Sequence, residues 1–189
     1  MVIAAGGTGG HSYPGMVVAC ALRQRGWEPL LVAREADPSL PRLEAENLPS
    51  LPVDLRGLPR RPGPDLLRFI WKLGAGMRLL SRALAGFRPD LVLGMGGSLT
   101  FPLAYAAWRH GVPRAVHESN AVLGLANKAA ASLGCTVLWG LPPQGAAGTV
   151  VGTPVRPALW TRRNRDECRR ALGLDPARTT LLAFGGSVM

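Results

Sequence analysis

A short apolar strand that runs directly into a glycine-rich loop opens the chain, and this feature restricts the possible folds most. Residues 1–5 are apolar, and Gly6-Gly7-Thr8-Gly9-Gly10-His11 follows before a helical pattern begins. Glycines allow a sharp turn and a close approach to a ligand, and the next helix directs N–H groups and partial positive charge at the loop. The pattern predicts an α/β unit whose first loop binds an anion or a polar sugar. His11 is the side chain there that can transfer a proton near neutral pH.

A dinucleotide-binding loop is the main alternative for this segment. That fingerprint is Gly-x-Gly-x-x-Gly, with an acidic residue about 20 positions later. Gly7-Thr8-Gly9 fits its first half, but the third glycine is absent, and Arg34 stands beside Glu35 near the end of the second predicted strand. An NADP-dependent Rossmann oxidoreductase therefore stays open, as does a tight turn without a ligand.

Three further segments with glycine or polar residues follow predicted strands. They read Gly94-Met95-Gly96-Gly97-Ser98-Leu99-Thr100, His117-Glu118-Ser119-Asn120 and Val151-Gly152-Thr153-Pro154-Val155-Arg156. The carboxyl ends of parallel strands meet at one edge of a sheet, where open α/β sheets bind their ligands. We therefore expect these segments and the first loop to line one crevice.

Short apolar strands alternate with helical patterns, which is typical of a doubly wound, parallel, Rossmann-like sheet. The predicted strands lie at residues 2–5, 30–33, 51–53, 91–93, 115–117, 137–139 and 150–151. The predicted helices lie at residues 14–25, 66–85, 99–109, 123–132 and 166–172. Pro14 and Gly26 mark the ends of the first helix.

Composition indicates one α/β domain with a basic surface. Apolar stretches end well before 18 residues, and no signal sequence is apparent, so neither a transmembrane helix nor a secretory leader is expected. Cys20, Cys135 and Cys168 are odd in number and far apart, which favours reduced thiols. The net charge of +10 favours a polyanionic partner, although codon bias towards Arg also explains part of it.

Together, these motifs resemble the N-terminal half of the MurG family of bacterial peptidoglycan glycosyltransferases. The resemblance rests on residues 6–11, 94–97, 117–120, 124–128 and 151–156, in the family's order and spacing. The chain departs from the family at Ser119, where Gln is usual, and at Thr153, where Asn is usual. The resemblance implies half of a two-domain GT-B enzyme, an inverting hexosyltransferase. Such an enzyme transfers N-acetylglucosamine from UDP-GlcNAc to lipid I, the undecaprenyl-diphosphate-linked muramyl pentapeptide, and so makes lipid II.

The resemblance also divides the chain. Residues 1–157 are expected to form an N-terminal Rossmann-like domain that binds the acceptor and the membrane. Residues 158–178 are expected to be an interdomain linker, and residues 179–189 the truncated start of a C-terminal donor-binding domain. Since positioning of both reactants supplies much of such a rate, the chain alone is expected to fold but to transfer sugar negligibly.

Two residues are candidates for the general base that takes the acceptor hydroxyl proton. His11 titrates near neutrality, whereas Glu118 would need desolvation to do so. The alternatives are that His11 only hydrogen-bonds the loop, and that Glu118 pairs with Lys128 or an Arg.

The remaining candidate residues are assigned by resemblance. The UDP-GlcNAc contacts are Thr8, Gly9, Gly10, Asn120, Arg156 and Ser187, and the acceptor and diphosphate contacts are Gly96, Gly97, Ser98, Thr100, His117 and Asn127. The sequence contains no Asp-x-Asp and no His/Cys cluster with metal-ligand spacing, so neither a metal nor another cofactor is expected.

The helix predicted at residues 66–85 carries two apolar stripes. One contains Leu67, Trp71 and Met77, and the other contains Phe69, Ile70, Leu73 and Leu80. One stripe should face the sheet, and the other, among cations, would suit anionic lipid. By resemblance, the membrane patch comprises Leu67, Arg68, Trp71, Lys72, Met77 and Trp108. This implies a peripheral protein at the cytoplasmic face of the plasma membrane, without a nucleic-acid partner. The alternatives are a helix whose apolar residues are all core, or a basic lipid-surface module without catalysis.

Overall fold

The structure is a computed structural model that describes residues 1–55, 57–59, 63–145 and 148–183. Strands and helices alternate along these residues. The strands are β1 Val2–Ala4, β2 Leu30–Arg34, β3 Ser50–Val53, β4 Val92–Gly94, β5 Arg114–Glu118, β6 Thr136–Trp139 and β7 Thr149–Val150. The helices are α1 Gly9–Gln24, α2 Leu40–Ala45, α3 Pro64–Phe87, α4 Thr100–Arg109, α5 Leu125–Ala131 and α6 Arg165–Ala171, with a 3₁₀ turn at Pro157–Leu159.

All strands join one parallel sheet in the order β3-β2-β1-β4-β5-β6-β7. The central strand, β1, pairs with β2 on one side and with β4 on the other. The strand order therefore reverses at β1 and β4, and the loops that follow these two strands flank the crevice where such folds bind ligands.

Helices cover both faces of the sheet, and the alternation of buried residues along the strands explains why. Ile3 packs with Met16 of α1 and Leu43 of α2 on one face. Val2 packs with Leu80 of α3 and with residues of α4 on the opposite face, where α5 also packs. The predicted doubly wound parallel fold is confirmed, because the central strands β1, β2 and β4 bury side chains on both sides.

Every predicted strand is present, whereas two helix predictions need correction. Helix α1 begins at Gly9 rather than at Pro14, because the Thr8 carbonyl accepts N–H groups of His11 and Ser12 and so closes a turn before the proline. The short helix α2 was not predicted, since its six residues carry too little apolar periodicity.

The chain separates into two compact units, Met1–Val155 and Arg156–Met189. The first unit contains the whole sheet and α1 to α5. The described part of the second unit contains the 3₁₀ turn and α6, whose first turn is capped by the Asn164 side chain.

Candidate functional site

The loop between β1 and α1 presents the N-terminal end of α1 at the carboxyl edge of the sheet. Gly7 has a φ of +114°, which favours glycine. Gly9 and Gly10 begin the helix and are exposed. The first N–H groups of a helix have no intrahelical partner, so these two glycines offer donors and partial positive charge to an anion.

The loop between β4 and α4 lies directly against this first loop. Gly96 and Gly97 have φ values of +95° and +77°. A Cβ atom on Gly96 would lie 2.7 Å from His11 Cδ2, and one on Gly97 would lie 2.6 Å from the Gly6 carbonyl oxygen. Only glycine permits this approach. The expectation that the two glycine loops meet at one crevice is therefore confirmed.

Thr100 and Ser98 bond to different partners around the second loop. Thr100 is fully buried, and its Oγ1 accepts the Gly96 N–H and donates to the Gly96 carbonyl, both at 2.9 Å. Ser98 is half-buried, with its Oγ 3.5 Å from the Leu55 carbonyl oxygen. The Thr100 hydroxyl thus supports the loop rather than facing the crevice.

His11 lies between the two loops with its ring partly shielded from water. Its Nδ1 is 3.1 Å from Thr8 Oγ1, and the ring packs against Gly96. Burial lowers the pKa of His11 below its ordinary value of 6.5, and the negative charge of Glu118 only partly opposes this. The imidazole is therefore neutral at pH 7, the state in which it can accept a proton.

Glu118, at the end of β5, is enclosed by amide donors. Its Oε1 accepts the backbone N–H and the side-chain Nδ2 of Asn120, and its Oε2 accepts Gly124 N–H and Asn127 Nδ2, at 2.9–3.1 Å. Burial alone would raise the pKa of Glu118, but these hydrogen bonds lower it below 4.5. The sequence left open an ion pair between Glu118 and Lys128 or an Arg, but the hydrogen-bond donors around the carboxylate are backbone and asparagine amides. The carboxylate is ionised and its acceptor positions are occupied, which favours a loop-anchoring role over that of a base.

His117 and Asn127 are buried, and their side chains bond to backbone carbonyls. His117 Nε2 lies 2.9 Å from the Gly152 carbonyl oxygen, so this nitrogen carries the proton. Asn127 Nδ2 donates to the His117 carbonyl at 3.0 Å as well as to Glu118. Both side chains therefore hold the strand end in place, while His117 Nδ1 and Asn127 Oδ1 are buried and have no hydrogen-bond partner among the described residues.

Two residues that the sequence interpretation did not place in the site hold the first glycine loop. Arg34 Nη2 donates to the Gly7 carbonyl at 2.8 Å, and Asp37 Oδ2 accepts the Gly7 N–H at 2.8 Å. Burial would raise the pKa of Asp37, but hydrogen bonds from Ser39, Gly7 and Ser12 lower it below 3.8. The Asp37-Pro38-Ser39 turn was the available sequence signal. Arg34 thus bonds the loop itself through Nη2.

The other predicted donor contacts are spread over the chain. Thr8 is exposed beside His11, and Asn120 is exposed although it bonds Glu118. Arg156 belongs to the second compact unit. Ser187 lies outside the described residues. Within the part of the chain that the structure describes, no group of three or more His, Cys, Asp or Glu side chains could hold a metal ion.

Helix α3 exposes an apolar face at the carboxyl edge of the sheet, where it begins. The exposed fractions of Leu67, Ile70 and Trp71 are 74%, 55% and 72%. Grouping Ile70 with Phe69, Leu73 and Leu80 was wrong, because Ile70 lies three residues after Leu67 and shares its exposed face. Phe69 and Leu73 pack towards the sheet instead.

The residues of the predicted membrane patch lie in different surroundings. Arg68 is exposed near Asp65, whereas Lys72 pairs with Asp54. Met77 is half-buried. Trp108 is exposed but lies near the end of α4, and His110, which directly follows α4, contacts Ser81. Ser81 is ten residues beyond Trp71, or about 15 Å along the helix. Trp108 therefore lies nearer to the second half of α3 than to its exposed start. No helix among the described residues is long and apolar enough to cross a membrane.

Several full-length proteins are similar to this chain. One relative, from Elusimicrobium minutum, is 38% identical over 189 residues, which cover 98% of this chain and 52% of that protein. Another, from Nocardioides sp., is 37% identical over 204 residues, covering 99% of this chain and 53% of that protein. Both are named UDP-N-acetylglucosamine–N-acetylmuramyl-(pentapeptide) pyrophosphoryl-undecaprenol N-acetylglucosamine transferase. The chain spans about half the length of these curated relatives.

Solved structures show the same architecture. Acinetobacter baumannii MurG superposes with a TM-score of 0.69 and 27% identity, over 82% of this chain and 46% of that one. The Streptomyces glycosyltransferase SsfS6 superposes with a TM-score of 0.50 at 22% identity, over 78% of this chain and 52% of that one, and this likeness shows the fold alone.

The family model of the glycosyltransferase family 28 N-terminal domain matches residues 1–137. This segment includes both glycine loops, His11 and Glu118. The chain therefore belongs to glycosyltransferase family 28.

Proposed function

We propose that this chain is the acceptor-binding half of an N-acetylglucosaminyltransferase of peptidoglycan synthesis. In this proposal the complete enzyme moves N-acetylglucosamine from UDP-GlcNAc to lipid I and gives lipid II. The observation that carries the proposal is the meeting of two positive-φ glycine loops at His11, beside the N-terminal end of α1. The names and length of the relatives support the same assignment.

In the proposed mechanism, the glycine loops hold the acceptor diphosphate. The N–H groups of Gly9 and Gly10 face its negative charge. Gly96 and Gly97, which the resemblance assigns to the acceptor site, allow the second loop to lie against His11 and the first loop. His11, which is neutral, takes the proton from the acceptor hydroxyl as that oxygen attacks the anomeric carbon. The bond to UDP breaks on the opposite side, so the configuration inverts. The negative charge on the departing UDP requires nearby donors or cations.

The donor contacts complete the proposal. Thr8, Asn120 and Arg156 would contact UDP-GlcNAc together with Ser187, consistent with a linker at residues 158–178 and the start of a donor domain at 179–189. No metal or other cofactor is needed if helix N-termini and Arg supply the positive field.

Binding of the acceptor tests this function directly. We expect the chain to bind a water-soluble lipid I analogue with a short prenyl chain, as measured by calorimetry, and to bind NADPH not at all. The matched control is the same analogue without its diphosphate, which should bind at least about tenfold more weakly, since charge-assisted hydrogen bonds dominate such sites. Equal affinity for the two analogues, or tight binding of NADPH, would contradict the proposal.

The exposed start of α3 further supports a peripheral position on the cytoplasmic face of the plasma membrane. Leu67, Ile70 and Trp71 form an apolar face, and Arg68 adds a cation beside it. Apolar side chains framed by cations suit an anionic bilayer surface. This surface is at the same edge of the sheet as the glycine loops, where a lipid-linked acceptor would arrive.

Vesicle binding tests this surface. Trp71→Ser should weaken co-sedimentation with vesicles containing anionic lipid about tenfold, because a large buried apolar side chain contributes roughly 1.5–3 kcal/mol. Trp27→Ser is the matched control, since Trp27 is 46% exposed but lies at the opposite edge of the sheet, before β2. Equal losses in both variants, or no binding by the parent chain, would assign the α3 face to another partner.

A further inference from the structure

Gly7 is held at both of its backbone polar groups, by the last residue of β2 and by a residue shortly after that strand. Arg34 donates to the Gly7 carbonyl oxygen, and Asp37 accepts the Gly7 N–H, each at 2.8 Å. Both peptide planes that flank the Gly7 Cα are therefore fixed. Glycine has a wide choice of backbone conformations, so these two contacts select one of them.

Asp37 connects the glycine loop to two other segments. It is 5% exposed. Its Oδ1 accepts the Ser39 N–H at 3.0 Å and the Ser39 hydroxyl at 2.7 Å, just before α2. The Ser12 hydroxyl, in the first turn of α1, donates to it at 3.3 Å. A Cβ atom on Gly6 would lie 3.2 Å from Asp37 Oδ2, so the carboxylate packs directly against the loop.

These contacts decide which donors the loop can offer. The Gly7 N–H is directed at Asp37 and so is not free for a ligand. The N–H groups of Gly9 and Gly10, at the start of α1, are the ones left facing the crevice. A buried carboxylate beneath an anion site would repel the anion, but the Arg34 guanidinium on the same glycine supplies compensating positive charge.

The position of His11 depends on the same glycine. Thr8 follows Gly7 directly, its hydroxyl lies 3.1 Å from His11 Nδ1, and its carbonyl accepts the His11 N–H at 3.0 Å. A rotation of the Gly7 peptide would move Thr8 and release the His11 ring from Gly96.

We infer that Asp37, with Arg34, is a positioning residue that fixes the Gly7 backbone, so that His11 stays against Gly96 and the start of α1 stays open to a diphosphate. The diphosphate part of this inference rests on the proposed function. The part that concerns His11 does not, and the two can be tested separately.

The first test follows the His11 ring in Asp37→Asn by NMR titration of the 189-residue chain. The amide of the asparagine that replaces Asp37 has one –NH₂ group, and in either orientation this donor faces another N–H donor, that of Gly7 or that of Ser39. One hydrogen bond is therefore lost and the loop is released. We expect the pKa of His11 to rise towards 6.5 as the ring regains water. Loss of a negative charge alone would lower the pKa of a histidine, so the sign separates positioning from a direct charge effect.

Ser39→Ala is the matched control, because it removes one hydrogen bond to Asp37 and leaves the Gly7 bond intact. Its His11 titration should equal that of the parent, while thermal unfolding reports the stability of both variants. An unchanged or lowered pKa of His11 in folded Asp37→Asn overturns the inference.

The second test measures affinity for inorganic pyrophosphate. We expect Asp37→Asn to bind pyrophosphate about tenfold more weakly than the parent, because its charge-assisted hydrogen bonds to the anion would be misplaced. Ser39→Ala should bind it within about twofold of the parent. A parent chain that binds neither pyrophosphate nor the lipid I analogue contradicts the proposed function, but leaves the His11 result to decide the positioning role. Equal affinity in Asp37→Asn and the parent overturns the diphosphate part.

If Asp37→Asn does not fold, a third measurement on the unmodified chain still tests the inference. In the unmodified chain, the Gly7 amide proton should resonate downfield and move upfield as Asp37 is protonated below pH 3.8, since its partner then loses its charge. A Gly7 amide that does not follow this titration overturns the inference.

Discussion

Replacing His11 by alanine is expected to lower kcat about 10²–10⁴-fold while changing acceptor affinity only a few-fold, because that is the usual contribution of a positioned general base. The ring contacts Thr8 and the two loops but lies in no hydrophobic cluster. Its removal should therefore cost the fold little compared with its effect on the reaction.

The pH profile gives a second signature of the same role. The base must be neutral, and burial lowers the pKa of His11 below 6.5. The rate should therefore be on its plateau at pH 7 and fall as the pH drops through the pKa of His11. His11→Ala should lose this acidic limb together with its high rate.

Both measurements need an active enzyme that contains these residues. A chimera that joins the unit Met1–Val155 to the C-terminal half of the Elusimicrobium minutum relative supplies one, and its activity before mutation is the control. Glu118→Gln tests the other candidate base. This variant should be less stable, because the glutamine –NH₂ group would face a donor, such as the Gly124 N–H, where the carboxylate now accepts a hydrogen bond. A stable Glu118→Gln with a larger kcat loss than His11→Ala would transfer the base role to Glu118.

Adding one methyl group at Gly96 is expected to disrupt the site as strongly as removing His11. The new Cβ would lie 2.7–2.8 Å from His11 Cδ2 and Nε2, and the φ of +95° strains any L side chain. We expect Gly96→Ala to lower the free energy of unfolding by about 2–4 kcal/mol, which combines positive-φ strain with overpacking. The His11 ring would be displaced, so the chimera should lose most of its activity.

Gly111→Ala is the matched control for this prediction. Gly111 also has a positive φ, of +67°, but nothing lies within 4 Å of the position of its Cβ. This variant should show the strain alone, about 1–2 kcal/mol, with unchanged catalysis. If the two variants lose equal stability, measured by denaturant unfolding, and both keep activity, the close contact between His11 and Gly96 is not needed for the reaction.

The architecture could be predicted because it depends on local patterns. Short apolar runs such as residues 2–5 and 91–93 lie between helical segments, and such strands fit only a sheet that is covered on both faces. The position of the site followed from the same patterns, since the glycines after β1 and β4 must meet where the strand order reverses. Two of the five family motifs, residues 6–11 and 94–97, lie in these two loops.

The roles of single side chains were decided by tertiary contacts between residues distant in sequence. Asp37 lies 30 positions from Gly7, and nothing local to either residue indicates their hydrogen bond. Thr100, His117 and Asn127 are polar residues that the sequence interpretation assigned to ligand binding, yet they are buried with hydrogen bonds to backbone carbonyls. Ile70 faces outwards because the sheet contacts only one side of α3. Sequence periodicity thus determined the elements and their order. Which polar groups face the crevice was decided by the assembled sheet, because buried donors and acceptors must find partners wherever the fold brings them.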